Sequence, residues 1–347
     1  SMLCALIMAG GIGTRFWPQS TPDNPKQFLS LLNEKSMLQM TYERINKLIP
    51  SDRIFIITNY NYIDKIKKQI PDIKDLNIIT EPCSKNTAPC ILLSTIYIRN
   101  IYKNANVVCI SSDSYIKNEE KFINDIVLAN EFVNNNTNAI VTIGIEPTRA
   151  ETGYGYIKFE PGSSKVLKVS KFVEKPNLEL ANEYYQSKKY LWNAGMFIFN
   201  VKNMLEECKV NIPNEYNLLI NLPDFSNPKY YEFLNKAYND CTKISIDYAI
   251  MEKSKNVYTI PTNIGWDDIG TWNSIERYLP KDENNNIVKG NVQIIDSNNN
   301  IVYCNNKKIV LLDVEDIFCI DSDNLIIIGK KESLNKVHTL KDQIDNL

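Results

Sequence analysis

Histidine is almost absent from this chain, which has a single one, His338, in 347 residues. The scarcity excludes hydrolases that use a serine–histidine pair, metal centres built from histidines, and acid–base catalysis by imidazole. None of the eight cysteines forms a Cys-x-x-Cys pair, and several lie in apolar runs, so we expect reduced thiols in the core. Any chemistry must therefore rely on carboxylates, lysine, arginine and a hard metal ion.

Strong net charge and long apolar runs are also missing. The formal net charge is −2, which argues against nucleic acid as a partner, because binding to the phosphate backbone requires a clustered basic surface. No segment has the length and apolarity of a transmembrane helix, and the first residues do not resemble a signal peptide. We therefore expect a cytoplasmic protein that has neither nucleic acid nor membrane as a partner.

Glycines are present where a ligand would need them. Gly10, Gly11 and Gly13 follow a short apolar run at 3–9, which predicts a buried parallel strand. Open α/β sheets bind ligands where such strands end. The glycines allow positive φ and close approach of backbone N–H groups to phosphate oxygens, while Arg15 and Lys26 add positive charge. This loop predicts a site for a nucleoside triphosphate.

Two better-known glycine motifs do not fit the loop. A Walker loop needs Gly-Lys-Ser/Thr, whereas Thr14 and Arg15 follow Gly13. A dinucleotide fingerprint needs glycine where Phe16 stands. Taken alone, the loop could still be a glycine-rich turn with incidental charges.

The order of apolar and amphipathic stretches predicts the fold. Strands are expected at 53–58, 76–80, 106–111 and 139–145, with helices at 36–49, 59–70, 88–102 and 119–133. This alternation indicates an α/β protein with a mostly parallel, doubly wound sheet. After residue 285, short strands alternate with turns rich in asparagine and aspartate. We predict a catalytic domain at 2–283 and a smaller β domain with a terminal helix at 284–347.

Four further stretches carry a family resemblance together with the glycine loop. They are Thr80-Glu81-Pro82 with Lys85-Asn86-Thr87-Ala88-Pro89, Phe172-Val173-Glu174-Lys175-Pro176, Trp192-Asn193-Ala194-Gly195-Met196-Phe197, and Gly265-Trp266-Asp267-Asp268-Ile269-Gly270. In this order they closely resemble the mannose-1-phosphate guanylyltransferases, a branch of the nucleotide-sugar pyrophosphorylases, over nearly the whole chain. The resemblance implies a Rossmann-like, GT-A-like nucleotidyltransferase domain followed by a short left-handed β-helix. It also implies that GTP and mannose 1-phosphate react to give GDP-mannose and diphosphate.

The resemblance implies a role for each matching residue. Arg15 and Lys26 would be the catalytic cations, and Asp113 and Asp268 would clamp Mg²⁺. The implied nucleotide contacts are Gly10, Gly11, Gly13, Thr14, Glu81, Asn86 and Thr87. The implied sugar-phosphate contacts are Gly153, Tyr154, Gly155, Glu174, Lys175 and Asn193. Because a phosphate oxygen is already a nucleophile, such a reaction needs no histidine.

The sequence departs from the family pattern at three places. Ser111-Ser112-Asp113-Ser114 stands where Pro-Ala-Asp-His is usual, which puts the surroundings of the first metal ligand in doubt. Asp267 replaces a small polar residue; we expect its carboxylate to be a solvated bystander, with a role as alternative metal ligand left open. Lys85 replaces the more usual arginine, which weakens the assignment of the base.

Two other functions stay open. The chain could be another hexose-1-phosphate nucleotidyltransferase, or a non-catalytic regulatory homologue that binds GDP-mannose. The presence of Arg15, Lys26, Asp113 and Asp268 argues against the second. The sequence leaves the oligomeric state open, and because exposed β-helix coils commonly pair, a homodimer is compatible with it.

Overall fold

The computed structural model of the protein describes residues 2–347. Its contacts form two compact units, one comprising the described residues up to Gly11 with Thr41–Asp267, and one comprising Ile12–Met40 with Asp268–Leu347. The glycine loop is therefore divided, since Gly11 ends a segment of the first unit and Gly13 belongs to the second. These units differ from the predicted domains at 2–283 and 284–347, and a folding boundary at 283/284 stays a prediction.

The first unit is an α/β structure. Its strands are β1 (Leu3–Met8), β2 (Ile54–Asn59), β3 (Ile78–Glu81), β4 (Asn106–Ser111), β5 (Tyr115–Ile116), β6 (Ile140–Ile145), β7 (Tyr156–Phe159), β8 (Leu167–Val173), β9 (Tyr190–Asn200), β10 (Val257–Thr262) and β11 (Trp266–Asp267). The unit boundary after Met40 falls within the first helix, α1 (Met37–Asn46). The other helices of the first unit are α2 (Ile63–Gln69), α3 (Thr87–Ile101), α4 (Glu119–Asn135), α5 (Leu178–Ser187), α6 (Val201–Asn211), α7 (Pro213–Ile220) and α8 (Tyr230–Asn239), followed by a π-helical turn at Asp247–Met251. The predicted alternation of strands and helices up to residue 145 is confirmed.

The main sheet is mixed, with the strand order β3-β2-β1-β4-β9-β6-β10-β8-β7. β1 pairs in parallel with β2 and β4, and β2 pairs in parallel with β3, whereas β9 runs antiparallel to β4 and β6. The carboxyl ends of β1, β3 and β4 therefore lie at the same edge of the sheet. Gly10, Glu81 and Asp113, which end or follow these strands, come to that edge.

Burial explains why these segments are strands and helices. β1 and β4 are runs of apolar side chains that are buried on both faces, as central parallel strands require. α3 is buried over all of residues 88–98, so it lies within the core rather than on its surface. The eight cysteines, all within residues 2–347, form no disulfide, as predicted, and Cys4 and Cys109 are fully buried. Across the same residues, no helix combines the length and the apolarity needed to cross a membrane.

β9 is longer than the apolar run at 196–199 predicts. The strand instead runs over Tyr190–Asn200 and passes through Asn193, which pairs with Gly144 of β6. The pairing register shifts between Thr142 and Gly144, and Gly195 has a φ of +67°. A bulge of this kind changes the direction of the side chains that flank it.

The second unit consists of short strands and turns. Besides α9 (Trp272–Ile275) it contains β12 (Ile287–Lys289), β13 (Val292–Ile295), β14 (Ile301–Tyr303), β15 (Ile309–Leu312), β16 (Ile317–Asp321), β17 (Ile326–Lys330) and a 3₁₀ helix at Lys331–Thr339. β12, β14 and β16 pair in parallel in that order, and β13 pairs in parallel with β15. This confirms the predicted β texture after residue 285. The left-handed sense of the coil stays a prediction.

Asparagines stabilise this coil from within. The side-chain oxygen (Oδ1) of Asn286 accepts hydrogen bonds from the backbone and side-chain nitrogens of Asn300, both at 3.0 Å. The Asn300 amide also donates to the carbonyl of Val314 at 3.1 Å. Both asparagines are buried, so the asparagine-rich turns satisfy backbone groups that the coil would otherwise leave unpaired. The asparagine abundance therefore reflects turns, as predicted, rather than low complexity.

Candidate active site

The glycine loop begins where β1 ends, and its glycines differ in what surrounds them. A Cβ added to Gly10 would lie 2.7 Å from Oε1 of Glu81, so a larger residue at this position would displace that carboxylate. A Cβ added to Gly11 or Gly13 would meet no atom within 4 Å. None of the three adopts the left-handed φ that the sequence interpretation allows for. Gly11 and Gly13 are thus not required by packing, which leaves the backbone there accessible to a ligand.

Buried aromatic rings hold the turn that carries Arg15. Phe16 is fully buried and its ring centroid lies 5.2 Å from that of Trp272. The Trp272 indole donates to the carbonyl of Trp17 at 3.1 Å, and the Trp17 amide donates to the carbonyl of Thr14 at 2.9 Å. The Thr14 and Arg15 side chains are exposed. A fixed backbone thus presents the Arg15 guanidinium to solvent.

Lys26 and Asp268, which the resemblance places in the site, lie together in the second unit. The Lys26 ammonium donates to the backbone carbonyl of Asp268 at 2.5 Å. A Cβ on Gly270 would lie 3.1 and 3.2 Å from the two Asp268 carboxylate oxygens, so glycine leaves room for that carboxylate. A cation and a carboxylate are therefore fixed beside each other, as binding of a metal–phosphate complex requires.

Asp113 follows β4, and its neighbours are serines. The Ser111 hydroxyl donates to Oδ1 of Asp113. The carbonyl of the buried Ser112 accepts from Thr41 at 3.1 Å, and its amide donates to the carbonyl of Met8 at 3.1 Å. The unusual Ser-Ser-Asp-Ser sequence therefore supplies a hydrogen bond that orients the carboxylate. Asp113 belongs to the first unit and Asp268 to the second, and a shared metal ion stays a prediction.

Glu81, predicted to contact the base, is the last residue of β3 and is 6% exposed. Its Oε2 accepts a hydrogen bond from the Tyr238 hydroxyl. Burial raises the pKa of the Glu81 carboxyl to about 7, which the bond from Tyr238 opposes. This carboxyl titrates near neutral pH, as is common for groups at functional sites.

Asn86 and Thr87, which are predicted nucleotide contacts, hold the start of α3. The Asn86 side chain accepts from the Thr87 amide at 2.8 Å, and Asn86 has a φ of 66°. The Thr87 hydroxyl accepts from the Ile246 amide at 2.7 Å. These bonds tie the helix start to the segment before the π-helical turn. The predicted nucleotide contacts of both residues stay predictions.

The predicted sugar-binding residues meet around Asn193. Its backbone amide donates to the carbonyl of Gly155 at 2.9 Å. Its side-chain oxygen accepts from the Gly195 amide at 3.0 Å, while its nitrogen donates to Oδ1 of Asp247 at 3.1 Å. The side-chain amide is therefore held in one orientation.

Acidic groups surround this asparagine. Burial, together with the charge of Glu174, raises the pKa of Asp247. A hydrogen bond with Glu174 raises the pKa of the Tyr248 phenol. Glu174 and Lys175 are exposed at the end of β8. Carboxylates that flank an oriented amide are suited to accept hydrogen bonds from sugar hydroxyls.

The glycines at 153 and 155 serve local packing. A Cβ on Gly155 would lie 3.3 Å from the carbonyl of Val173, which precedes Glu174. The Gly153 amide donates to Oε1 of Glu151 at 3.0 Å. The two glycines thereby position β7 beside β8 and the sugar-binding residues. A direct sugar contact stays a prediction.

Asp267 is not the solvated bystander that the sequence predicts, because it is 1% exposed. It lies on β11, opposite Tyr115 of β5, and its Oδ1 accepts from the Tyr154 hydroxyl at 3.4 Å. The Arg149 guanidinium donates to that hydroxyl at 3.3 Å and lies 4.9 Å from the centroid of the Trp192 ring. The charge that departs from the family pattern is thus compensated within the first unit.

Sequence reasoning missed Asp247, Tyr248, Arg149 and Tyr238. Asp247 and Tyr248 lie in a π-helical turn, which leaves no apolar periodicity to read. Arg149 stands three residues before the Thr-Gly-Tyr-Gly-Tyr stretch that begins at Thr152, and its charge beside a predicted sugar loop could have identified it. Among residues 2–347, no cluster of three or more His, Cys, Asp or Glu side chains suited to a metal ion occurs.

The fold and the site together define the class of protein. The α/β fold of the first unit places the start of a glycine loop at the end of a parallel strand, and a profile of the nucleotidyl transferase family matches residues 4–285. A mannose-1-phosphate guanylyltransferase from Salmonella muenchen is 34% identical, with 99% of this chain and 74% of that protein covered. One from Salmonella montevideo is 35% identical, with 99% and 74% covered. The chain belongs to the mannose-1-phosphate guanylyltransferases of this family.

Two solved structures resemble the chain in fold. A Thermus thermophilus structure, described as a mannose-1-phosphate geranyltransferase, aligns with a TM-score of 0.87 and 28% identity over all of both chains. A Helicobacter pylori structure, described as a mannose-6-phosphate isomerase, aligns with a TM-score of 0.62 and 26% identity over 77% of this chain and 100% of its own. The first alignment includes the second unit, so the chain shares its C-terminal strands with that protein.

Proposed function

We propose that the protein transfers the guanylyl group of GTP to mannose 1-phosphate, giving GDP-mannose and diphosphate. The observation that carries the proposal is similarity to guanylyltransferases over 99% of the chain. The residues of the site suit this reaction on chemical grounds. Their arrangement is suited to polyanions and offers no imidazole base, which a phosphate nucleophile does not need.

The reaction forms one bond and breaks one. An oxygen of the sugar phosphate attacks the α-phosphorus of GTP, and the bond from that phosphorus to the bridging oxygen of the β-phosphate breaks as diphosphate leaves. Arg15 neutralises the charge that builds up on the leaving diphosphate, and Lys26 binds the α-phosphate. Backbone N–H groups from Gly10 to Gly13 donate to the triphosphate.

Asp113 and Asp268 are the residues we propose to hold Mg²⁺. Their donor atoms fit this ion, because Mg²⁺ binds through one or two carboxylates together with substrate phosphates. Ser111 orients one carboxylate, and Gly270 leaves room around the other. When bound, the ion would screen the negative charge of the phosphates.

For the two specific ends of the substrates we propose one residue set each. Glu81 accepts from guanine, with Asn86 and Thr87 beside it. Glu174, Lys175 and Asn193 bind the mannose phosphate, with Gly153, Tyr154 and Gly155 supporting them. Two hydrogen bonds support these assignments because each fixes the orientation of a side chain. The Asn193 amide donates to Asp247, and the Glu81 carboxylate accepts from Tyr238.

Three finer features are also proposed. The coil of the second unit is left-handed, and its exposed apolar side chains, such as Leu312 at 64% and Ile328 at 66%, favour a homodimer. Light scattering after size exclusion would measure the mass of the assembly, and a monomeric mass would contradict the dimer.

The protein is also proposed to be cytoplasmic. Its cysteines form no disulfide, which agrees with a reducing cytoplasm.

A grid assay tests the reaction. Diphosphate release is measured with GTP, ATP, UTP and dTTP against the 1-phosphates of mannose, glucose and galactose, and the nucleotide sugar is identified by chromatography. We expect the highest kcat/KM for GTP with mannose 1-phosphate. A different best pair would support the alternative nucleotidyltransferase. Binding of GDP-mannose without turnover of any pair would support the regulatory homologue.

A further inference from the structure

The Glu81 carboxylate is held from two sides. The Tyr238 hydroxyl donates to Oε2, and Oε1 faces Gly10 so closely that a Cβ there would lie 2.7 Å away. Glu81 is separated from Tyr238 by 157 residues in sequence, and no motif links them. The carboxylate therefore has one orientation, which depends on a side chain outside every recognised motif.

Tyr238 reaches Glu81 through the core. It lies near the end of α8, where Tyr230, Leu234 and Tyr238 recur every four residues and are buried. Tyr238 is 0% exposed, so its hydroxyl needs a partner inside the protein. Glu81 is that partner, and α8 thereby delivers a hydrogen-bond donor to the end of β3.

We propose that Tyr238 is a positioning residue for base recognition, whose hydroxyl orients Glu81 to accept the N1–H and 2-amino hydrogens of guanine. This inference rests on the proposed function, because it takes the base to be guanine. A carboxylate can accept about four hydrogen bonds, so the bond from Tyr238 leaves acceptor capacity for the two donors on guanine. Adenine has no N1–H, and hypoxanthine has no 2-amino group.

The ionisation of Glu81 gives the proposal a second measurable consequence, which is the pH dependence of guanine binding. Burial raises the pKa of Glu81 to about 7, and the hydrogen bond from Tyr238 acts in the opposite direction. The titratable groups that face this carboxyl are the Tyr238 phenol and the Cys90 thiol of α3, and burial raises the pKa of both well above their ordinary values. Both therefore stay neutral where Glu81 titrates. Only the ionised carboxylate accepts from both donors, so guanine binds more tightly as pH rises through about 7.

Tyr238→Phe tests the proposal, with Tyr97→Phe as the matched control. Tyr97 is also a buried tyrosine, but its hydroxyl donates to the carbonyl of Leu76 at 2.6 Å. Initial rates are measured with GTP and with ITP from pH 6 to 9. In wild type, KM for GTP falls as pH rises through about 7. In Tyr238→Phe we expect an increase of about 10-fold in KM for GTP at pH 7, with kcat within about two-fold.

The variant should also move the pH profile. Without the donor, the pKa of Glu81 rises further, so the fall in KM moves to higher pH. The preference for GTP over ITP shrinks in the same variant. Tyr97→Phe keeps the wild-type profile and preference. A wild-type KM profile in Tyr238→Phe would overturn the inference.

A double variant separates positioning from a general structural effect. In a Glu81→Gln background, Tyr238→Phe should change KM by less than about two-fold, because the hydroxyl acts through the carboxylate. The same loss in both backgrounds would overturn the proposal. If Tyr238→Phe does not fold, difluorotyrosine can be placed at position 238 instead, because it is a stronger hydrogen-bond donor of nearly equal shape. This variant should shift the pH profile of KM to lower pH. An unchanged profile would overturn the proposal. A wild-type enzyme that prefers another base would instead refute the proposed function.

Discussion

Replacement of Asn193 by alanine should remove much of the preference for mannose over glucose. The two 1-phosphates differ only at C2, where the hydroxyl of mannose is axial. The Asn193 amide is oriented by Gly195 and Asp247, which leaves one N–H and one lone pair for that hydroxyl. Glucose 1-phosphate would leave these groups without the sugar as a partner.

The structure sets the size of this effect. Asn193 is only partly buried and keeps its two protein bonds, so one hydrogen bond is lost with glucose rather than two. One unmet polar group costs about 1–2 kcal/mol here, which is roughly 5- to 30-fold in kcat/KM. We expect a wild-type preference of that size, and a preference close to equality in Asn193→Ala. KM for GTP should not change.

The assay compares diphosphate release with the two sugar phosphates at saturating GTP. Asn200→Ala is a matched control, since Asn200 is a buried asparagine at the other end of β9 whose amide donates to Asn106. It should lower stability and leave sugar selectivity intact. Should Asn193→Ala keep the full mannose preference, the discrimination would have to reside elsewhere, with Glu174 as the next residue to test.

Three further predictions concern charge. Arg15→Ala should lower kcat by roughly 10²- to 10³-fold, as for loss of one preorganised donor to the transition state, and near-normal turnover would refute its role. Asp113→Asn and Asp268→Asn should each remove most activity, and a titration of rate against metal concentration should show partial rescue by Mn²⁺ or by high Mg²⁺. Full activity in either variant would refute the assignment of that residue as a metal ligand. Asp267→Ser should destabilise the protein by about 1–3 kcal/mol in urea unfolding, because the Tyr154 hydroxyl loses its acceptor, and an unchanged midpoint would contradict the importance of that buried contact.

The parts of the fold that local sequence determines are predictable. A serine at position 36 suits the cap of the helix that follows, and its hydroxyl accepts from the Gln39 amide at 3.0 Å while the Gln39 side chain accepts from the Ser36 amide at 2.9 Å. Strands such as β1 and β4 can be recognised in the sequence as continuous apolar runs, because they are buried on both faces. The motif positions follow, since glycines and carboxylates stand at the ends of these strands.

The parts that depend on distant partners are not predictable. Asp267 is buried because β11 pairs with β5 and because Tyr154 supplies a donor, and neither partner is near it in sequence. Asn193 lies on a strand because it pairs with Gly144 of β6, which is far from it in sequence. Local patterns report propensity, whereas burial of a charge depends on which side chains the completed fold brings to it.

Long-range hydrogen bonds within the second unit set an order of events during synthesis. The Gln19 amide donates to the carbonyl of Asp321 at 2.6 Å, a separation of 302 residues, and Tyr303 donates to the carbonyl of Leu31. At roughly 5–20 residues per second, a ribosome needs about 15–60 s between the two ends of the first bond. The segment that carries Arg15 and Lys26 must therefore wait for the last coils before it can acquire its final backbone. We expect nascent chains that stop before residue 303 to lack an ordered segment around Arg15 and Lys26, however well their parallel sheet has already folded.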